Sequence, residues 1–574
     1  MLLNKIIPNT ETHFDQAIAE QIWRQKYQYF SAGRIMDSSV EHTWRRVANA
    51  LAATEPAGLR ANVAQTFYEA MAGFRLLPAG RILSGSGTTR SVTLFNTFVM
   101  GTVEDSLDGI IQTMGEAART MKMGGGIGFD FSTIRPHGTP VKGLDCPAAG
   151  PVAVMEIADA ICKMVASGMG RGAMMGTLAC DHPDIEEFVA AKSQGARLNR
   201  FNLSVLISDS FMQAVESDAA WPLVWQGTEI RRIGARELWH KIMQHTYNAA
   251  EPGVLFIDRI NDGNPLSYIE TVAATNSCAE QPLPPNGACP LASINLARLV
   301  QEPFTPKAAM DLEALADLVA TAVRLLDNAI DVSHFPTTAQ HWEARNKRRI
   351  GVGLTGVGNA LIMCDARYGS KKAVGLLDSW MRCFKNAAYR ASADLAAERG
   401  PFPMFHAAQH MAQPVLRNLD DEVRSKIAAF GLRNGVLTTL APTGTISMFA
   451  GNVSSGIEPV FSTAFNRQIT APDGAKTSER VEDYAALLHR RLFGPNAPLP
   501  NNFVTVADLS PRDHVVMQAT AQRWIDSGIS KTVNCPEDIP FEDFEQVYLD
   551  AYRQGCKGCT TYRPNDILGS VLTI

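Results

Sequence analysis

The stretch ATNSCAEQPLPPNGACPLASINLAR, residues 274–298, places a thiol and a carboxylate close together in the chain. Asn276, Cys278 and Glu280 alternate, and alternate residues of an extended segment lie on one face. A thiol beside a carboxylate suits hydrogen-atom chemistry at a carbon that bears a hydroxyl, because the carboxylate can take the hydroxyl proton. A bare motif of this kind more often marks a packed core thiol and a solvated charge, so its context must decide.

The sequence on either side of this stretch alternates between helical and strand-like patterns. Residues 11–75 carry apolar side chains at three- and four-residue spacings, which predicts a helical N-terminal cap over residues 1–75. From Leu77 onward, short apolar runs and glycine clusters such as GGGIGFDFS (124–132) alternate with helical patterns such as 312–330. This alternation predicts an α/β unit over residues 76–574, with a largely parallel sheet or barrel.

Composition limits the classes of function. Hydrophobic residues make up 46% of the 574 residues and charged residues 19%, which is typical of a globular protein. The net charge of −5, with no concentrated basic stripe, argues against nucleic acid as a ligand. The start of the chain lacks the apolar region of a signal peptide, and no stretch reaches transmembrane length. We therefore expect a cytoplasmic protein with mostly reduced thiols and no membrane contact.

Besides 274–298, nine segments follow one another along the chain in a recognisable order: LPAGRILSGSG, VTLFNTFVMGTVEDSLDGI, KMGGGIGFDFSTIRPHGTPVKG, RGAMMGTLACDHPDIEEF, FNLSV, EPGVLFIDRIN, RRIGVGLTGVG, APTGTIS and GCKGCTTYRPND. Together they resemble the catalytic subunit of ribonucleotide reductases, and their sequences are most similar to the adenosylcobalamin-dependent branch. The resemblance covers about residues 20–570 and implies a ten-stranded α/β barrel, with a finger loop at about 274–290 running through its centre.

The resemblance implies roles for individual residues. Cys278 matches the thiyl radical that abstracts the ribose 3′ hydrogen, Glu280 the base for the 3′ hydroxyl, and Asn276 a hydrogen-bonding partner. Cys289 matches one of two cysteines that reduce the substrate by forming a disulfide. The implied substrate-binding positions are Asn96, Thr97, Gly126, Ser277, Ala279, Pro442, Thr443, Gly444, Thr445, Ile446 and Ser447.

Residues 442–447 belong to APTGTIS, which resembles the family's phosphate loop. Its backbone N–H groups and hydroxyls are suitable phosphate donors, although an ordinary glycine turn would have the same composition. Asp105 and Arg135 match positions that bind a deoxynucleotide effector at the interface of a homodimer. Taken singly, each would more often be a helix-start aspartate and a surface arginine.

The resemblance also indicates the radical source. At the position of a tyrosine pair that relays a radical from a separate protein, this chain has Thr560 and Thr561, with Tyr562 one place beyond. No glycyl-radical segment is found near the end, which leaves adenosylcobalamin as the expected cofactor. The sequence contains no DxHxxG cobalamin signature, and we predict no metal-ligating residues. It therefore identifies no cobalamin ligand.

The chain departs from the family at Thr97, where the first redox cysteine is expected. The resemblance implies the reduction of ribonucleotides, with ribonucleoside diphosphates as the expected substrates. Because threonine cannot act as a reductant, two alternatives remain open: a nucleotide-binding, non-catalytic paralogue and a radical nucleotide enzyme with altered reduction. The final residues, GSVLTI, contain no CxxC tail, so we expect a thioredoxin-like reductant or a separate chain that carries such a tail. Cys556 and Cys559 form a CxxC that is either structural or redox-active, with structural thiols the stronger expectation.

Overall fold

The protein is described by a computed structural model that covers residues 14–141, 143, 146–165, 173–193, 197–470 and 476–564. The polar start of the chain and the C-terminal GSVLTI, on which two of the expectations rest, lie outside the described residues. Within the described part, no helix is both long enough and apolar enough to cross a membrane.

The N-terminal region is helical, and helices recur along the whole chain. Ser106 and Asp311 illustrate how they begin, since each side chain accepts a hydrogen bond from a backbone N–H of the first turn. The helices are α1 Ala17–Ile22, α2 Val40–Ala52, α3 Arg60–Met71, α4 Gly80–Gly85, α5 Leu107–Lys122, α6 Gly150–Val165, α7 Ile185–Ala190, α8 Asp209–Glu216, α9 Ala235–Ala249, α10 Ile257–Asp262, α11 Leu312–Val332, α12 Thr338–Lys347, α13 Val357–Met363, α14 Lys371–Arg399, α15 Ala407–Met411, α16 Asp421–Phe430, α17 Gly444–Phe449, α18 Tyr484–Phe493, α19 Pro511–Gln522 and α20 Phe541–Arg553.

Short helical turns complete this set: a π-helix at Trp23–Tyr27, which continues α1, and 3₁₀ turns at Ala72–Phe74, Leu296–Arg298, Pro414–Leu416 and Val506–Asp508. The strands are β1 Phe30–Ser31, β2 Arg34–Ile35, β3 Leu76–Pro78, β4 Thr97–Val99, β5 Gly126–Asp130, β6 Met174–Ala179, β7 Phe201–Ile207, β8 Ala220–Trp225, β9 Thr228–Gly234, β10 Gly253–Phe256, β11 Ala274–Thr275, β12 Pro282–Leu283, β13 Ala288–Cys289, β14 Leu291–Asn295, β15 Val300–Gln301, β16 Ala309–Met310, β17 Gly351–Thr355, β18 Ala464–Thr470, β19 Lys476–Glu482, β20 Thr532–Asn534 and β21 Gly558–Tyr562.

The strands form a mixed α/β architecture. Eight of them make one sheet in the order β13-β4-β5-β6-β7-β10-β21-β20, and β17-β14-β3 make another. From β4 to β10 the neighbours run parallel, as the alternation of strands and helices predicts. Single parallel bridges, Val352 to Thr438 and Leu440 to Ile529, lie between the two sheets. Within the described residues these sheets do not form a closed ten-stranded ring, which stays a prediction.

Two glycines let the 274–290 segment pass between the sheet strands. A Cβ atom on Gly128 of β5 would lie 1.9 Å from the Thr275 carbonyl oxygen, and one on Gly528 would lie 2.5 Å from that of Ala279. Such contacts exclude any side chain, so the backbones can approach only where glycine stands. The Gly528 N–H donates to the carbonyl of Glu280 at 2.9 Å, which holds the segment from its second side.

Candidate active site

The candidate catalytic residues lie at the tip of a hairpin, not on an extended strand. β11 pairs antiparallel with β12 through Ala274–Leu283 and Thr275–Pro282, so residues 276–281 form the tip. The Ala279 N–H donates to the Asn276 carbonyl at 3.1 Å, and Ala279 has a left-handed backbone with φ of 63°. The expectation of one extended face for Asn276, Cys278 and Glu280 was therefore wrong. The turn exposes Cys278 to a cavity, whereas Asn276 and Glu280 are buried.

Cys278 opens onto a cavity of about 650 Å³. Although its side chain is exposed to this space, surrounding protein atoms desolvate the thiol and, with the nearby Glu280 carboxyl, raise the pKa of Cys278 to about 12. The Ser277 hydroxyl lies 3.7 Å from its Sγ. Cys278 consequently remains a protonated thiol at neutral pH, a state that carries a hydrogen atom for transfer instead of a nucleophilic thiolate.

Glu280 is a buried carboxyl with spare hydrogen-bonding capacity. Burial raises its pKa to about 7, while a hydrogen bond from Asn276 acts in the opposite direction. Its Oε2 atom has no hydrogen-bond partner among the described residues, and such an atom is costly unless a ligand completes it. The backbone is held in place, since the Thr439 hydroxyl donates to the Glu280 carbonyl at 2.7 Å. A carboxyl of this pKa can exchange a proton near neutral pH.

Thr97 and Cys289 face each other directly. They are paired in the antiparallel register of β4 and β13, so both side chains lie on the same face of the sheet. The Thr97 hydroxyl donates to the Cys289 carbonyl at 2.9 Å, and Cys289 is fully buried. Burial also raises the pKa of the Cys289 thiol. Thr97, the position at which the resemblance implies the first redox cysteine, therefore lies opposite Cys289 and holds a hydroxyl.

Gly126 lies where the finger loop approaches β4 and β5. A Cβ atom at Gly126 would lie 3.3 Å from the Asn96 carbonyl oxygen and 3.6 Å from the Ser277 Oγ. Asn96 also has a buried Oδ1 without a partner in the described chain, the mark of a group that a ligand could complete. The structure thus brings Asn96, Gly126 and Ser277 together, while Ser277 and Ala279 line the Cys278 cavity.

The 442–447 loop precedes and begins the short helix α17. Thr443 has a left-handed backbone with φ of 51°, and its hydroxyl is used internally, bonded to the Thr355 hydroxyl and to the Gly456 N–H, each at 2.8 Å. The Ser447 hydroxyl donates to the Gly444 carbonyl. Gly444 is exposed, and a Cβ atom there would meet no atom within 4 Å. Backbone N–H groups at the start of α17 are the donors that this arrangement leaves for a phosphate.

Asp105 and Arg135, the two candidate effector residues, form a salt bridge with an Nε to Oδ2 distance of 2.8 Å. The Arg135 backbone N–H also donates to the Asp105 carboxylate. The pair lies beside the first turn of α5, which Ser106 caps.

Sequence patterns did not identify the polar floor of the Cys278 cavity. Strand register aligns Ser204 of β7, Gly253 of β10, Thr560 of β21 and Thr532 of β20 in one row across four strands. All four line the cavity. This row forms only when strands that are distant in the chain pair. The one sequence feature that pointed to it was Thr560 and Thr561, at the position where the resemblance implies a tyrosine pair.

Cys556 and Cys559 are buried thiols with raised pKa values, caused mainly by desolvation. No group of three or more His, Cys, Asp or Glu side chains is arranged to hold a metal ion in the part of the chain that the structure describes. A pair of buried, protonated thiols is unlike a reactive redox pair, which needs an accessible thiolate.

Comparison with known proteins places the chain in a family. The family model "Ribonucleotide reductase, barrel domain" matches residues 96–562, and "Ribonucleotide reductase, all-alpha domain" matches residues 13–91. A vitamin B12-dependent ribonucleoside-diphosphate reductase of Mycobacterium tuberculosis is 36% identical over 95% of this chain and 77% of its own length. One of the same name from Thermoplasma acidophilum is 35% identical over 88% of this chain and 66% of its own length.

A vitamin B12-dependent ribonucleotide reductase of Streptomyces avermitilis is 26% identical, over 85% of this chain and 58% of its own length. The chain thus spans from somewhat over half to about three quarters of the length of these relatives. Since the barrel-domain match covers most of the chain and a relative above 30% identity is spanned over three quarters of its length, the chain belongs to the ribonucleotide reductase family.

Proposed function

We propose that the protein reduces ribonucleotides, specifically ribonucleoside diphosphates, to 2′-deoxyribonucleotides by means of a thiyl radical on Cys278. The observation that carries this proposal is the hairpin tip, which presents a protonated thiol to a nucleoside-sized cavity and keeps a carboxyl of pKa about 7 two residues away. Relatives named vitamin B12-dependent ribonucleoside-diphosphate reductase support the reaction and the class of substrate.

We assign roles to the finger-loop residues on this basis. The Cys278 thiyl takes the 3′ hydrogen of the ribose, while Glu280 takes the proton of the 3′ hydroxyl and Asn276 orients its carboxyl. Loss of the 2′ hydroxyl as water and its replacement by hydrogen needs two electrons. Cys289 supplies one thiol and, because Thr97 has no sulfur, the second thiol comes from the external dithiol reductant, so that the two sulfurs end as a disulfide. The loop 442–447 binds the phosphate groups of the substrate. The substrate site between this loop and the finger loop is lined by Asn96, Thr97, Gly126, Ser277 and Ala279.

The Cys278 cavity fits the nucleoside part of adenosylcobalamin. Its polar row offers hydroxyls from Ser204, Thr532 and Thr560, and Gly253 leaves the floor flat between them. Phe461, with 44% of its surface exposed, lies at the lining and offers an apolar contact. When bound, the cofactor supplies a radical by cobalt–carbon homolysis. The chain's own part is to hold the nucleoside against the Cys278 thiol and to keep that thiol protonated.

We further propose a division into a helical cap, residues 1–75, and a barrel domain, residues 76–574, whose strands close into a ten-stranded barrel around the finger loop at about 274–290. Support comes from the beginning of β3 at Leu76 and from the family models for an all-alpha and a barrel domain. The bridges from β17 to Thr438 and from Leu440 to Ile529 lie where two further strands of such a barrel would run.

A homodimer that binds a deoxynucleotide effector at Asp105 and Arg135 forms part of the proposal. Beside this pair, α5 and α6 pack together and expose apolar side chains, among them Leu107, Ile111 and Ile157. We expect Ile111→Glu to shift the protein from dimer to monomer in sedimentation, because a charge at an apolar interface is costly. Ile230→Glu, at a similarly exposed isoleucine in β9, is the control and should leave the dimer intact; equal behaviour of both variants would contradict this interface.

The reductant is proposed to be a thioredoxin-like protein or a separate chain with a CxxC tail. We expect Thr97→Cys to raise multiple-turnover reduction several-fold with a dithiol, because residues 97 and 289 are directly opposed. Opposed residues of antiparallel strands have Cα atoms about 4.5–5.5 Å apart, within the range of a disulfide. The measurement is deoxyribonucleotide formed per enzyme, together with mass-spectrometric detection of a disulfide from residue 97 to Cys289.

Thr97→Ser is the matched control, since it keeps the hydroxyl and adds no thiol. If Thr97→Cys turns over no faster than the native protein and forms no substrate-dependent disulfide, the missing cysteine is not the limiting feature. Thr97 is also the observation that favours a second candidate, a radical nucleotide enzyme whose reaction does not end in 2′ reduction.

The experiment that tests the function is anaerobic incubation with adenosylcobalamin, a ribonucleoside diphosphate and dithiothreitol, followed by chromatography. Deoxyribonucleotide together with 5′-deoxyadenosine is the expected result. An altered nucleotide without loss of the 2′ hydroxyl would establish the second candidate. If neither product forms, both candidates are refuted, and a nucleotide-binding paralogue remains.

A further inference from the structure

Arg81, the second residue of α4, lies beside the glycine run 124–126, which contains the candidate substrate-binding residue Gly126, and it belongs to no predicted site. Its guanidinium is half-buried against the glycine cluster of 124–126, since a Cβ atom on Gly124 would lie 2.9 Å from the Arg81 Cζ. Gly126, which approaches Asn96 and Ser277, is part of the same cluster. The cation therefore borders the region between β4, β5 and the finger loop.

No carboxylate of the described residues compensates this charge. Within the described residues Arg81 makes no salt bridge, and the group with which it interacts electrostatically is the Tyr27 phenol. Burial raises the pKa of that phenol, so it stays neutral. Two other arginines of the same region differ, because Arg46 pairs with Asp37 and Arg298 pairs with Asp15. An uncompensated cation in a partly desolvated place is costly and indicates that an anion is missing.

The contacts around Arg81 lead to the loop 442–447. Ala79, at the start of α4, packs in one apolar cluster with Cys289 and with Ala441, the residue before the loop. The neighbouring π-helix makes a second connection: the Tyr27 ring lies 5.0 Å from that of Phe449 in α17, and the Lys26 Nζ lies 3.4 Å from the Thr445 Oγ1. The N-terminal end of α4, which carries Arg81, thus packs beside the redox cysteine and the loop.

We propose that Arg81 is a further substrate-binding residue, the cation that binds the phosphate groups of the ribonucleotide opposite the N–H groups of the loop 442–447. This inference rests on the proposed function, and it adds a residue that no motif predicted. The planar guanidinium can donate two parallel hydrogen bonds to a phosphate, which supplies direction as well as charge. A substrate bound in this way would hold its phosphates next to Ala79 and direct its ribose toward Cys289 and Glu280.

The test compares three ligands by calorimetry on cofactor-free protein: cytidine 5′-diphosphate, cytidine and inorganic pyrophosphate. For Arg81→Gln we expect the affinity for the diphosphate and for pyrophosphate to fall about 10- to 100-fold, as for a lost charged hydrogen bond. The affinity for cytidine should not change. Arg81→Lys keeps the positive charge but loses the two parallel hydrogen bonds of the guanidinium, so its affinity for the diphosphate should lie between those of the native protein and Arg81→Gln. Arg90→Gln, which removes an exposed arginine that stacks over Tyr29, is the control and should bind as the native protein does.

Thermal unfolding separates this role from a structural one. Removing an uncompensated cation should leave the midpoint of Arg81→Gln equal to or above that of the native protein, and pyrophosphate should raise the midpoint of the native protein more than that of the variant. Equal diphosphate affinity for Arg81→Gln and Arg90→Gln, or an equal loss for cytidine and its diphosphate, overturns the proposal. A native protein that binds pyrophosphate through Arg81 but yields no deoxyribonucleotide would refute the proposed function alone.

Discussion

Cys278→Ala should abolish nucleotide reduction while leaving nucleotide binding intact. The substitution removes the sulfur that faces the cavity, and Ala fits the same place because it is smaller and apolar. Loss of a reacting group of this kind costs more than about a thousandfold in rate. The measurement is deoxyribonucleotide formed in the anaerobic assay, together with calorimetric affinity for the ribonucleoside diphosphate.

Cys364→Ala is the control, because it removes a buried thiol at the end of α13, away from the finger loop. This variant should retain turnover. Residual reduction by Cys278→Ala above a few per cent of the native rate would rule out Cys278 as the radical residue, whatever the fate of the rest of the proposal.

Glu280→Gln should lower turnover by about 10²- to 10⁴-fold, the usual contribution of a general base, with little change in nucleotide affinity. Gln has nearly the shape of Glu but cannot accept the 3′ hydroxyl proton. In the native protein the rate should rise with pH up to about 7, because burial raises the pKa of Glu280 to about 7 and only the ionised form is a base. Below that pH the rate should fall tenfold for each unit. An unchanged rate in Glu280→Gln would contradict the role.

A stability measurement provides an independent control on the environment of Glu280. Its pKa in the folded protein lies above the unfolded value, so the folded state favours the protonated carboxyl. The contribution of Glu280 to stability is therefore fully present below about pH 4.5 and is lost as the pH rises through about 7. Glu280→Gln should match the native free energy of unfolding near pH 4 and exceed it by roughly 3 kcal/mol at pH 8, since the pKa is raised from 4.5 to about 7 and one pKa unit corresponds to about 1.4 kcal/mol. A variant less stable at pH 8 would show that the carboxylate is not desolvated.

Sequence was sufficient for the family, the helical N-terminal region and the alternation of strands and helices. These depend on local patterns and on motif order, which the chain carries in LPAGRILSGSG, the finger segment and APTGTIS. The candidate residues Asn276, Cys278 and Glu280 could be named because the segments around them resemble the family's finger region, whereas the bare motif would not have identified them. Their predicted arrangement on one strand face was wrong, since the register of β11 with β12 turns 276–281 into a hairpin tip.

Only the tertiary structure showed that Cys278 opens onto a cavity while Glu280 is buried, and that desolvation raises the pKa of both groups. Pairing of distant strands aligned Ser204, Gly253, Thr560 and Thr532 along the cavity onto which the thiol opens. The absence of a carboxylate near Arg81, within the ranges that the structure covers, is likewise a property of packing. A sequence lists charges, but whether a charge is desolvated and compensated depends on residues brought close by long-range contacts, and that balance is what sets pKa values and creates binding sites.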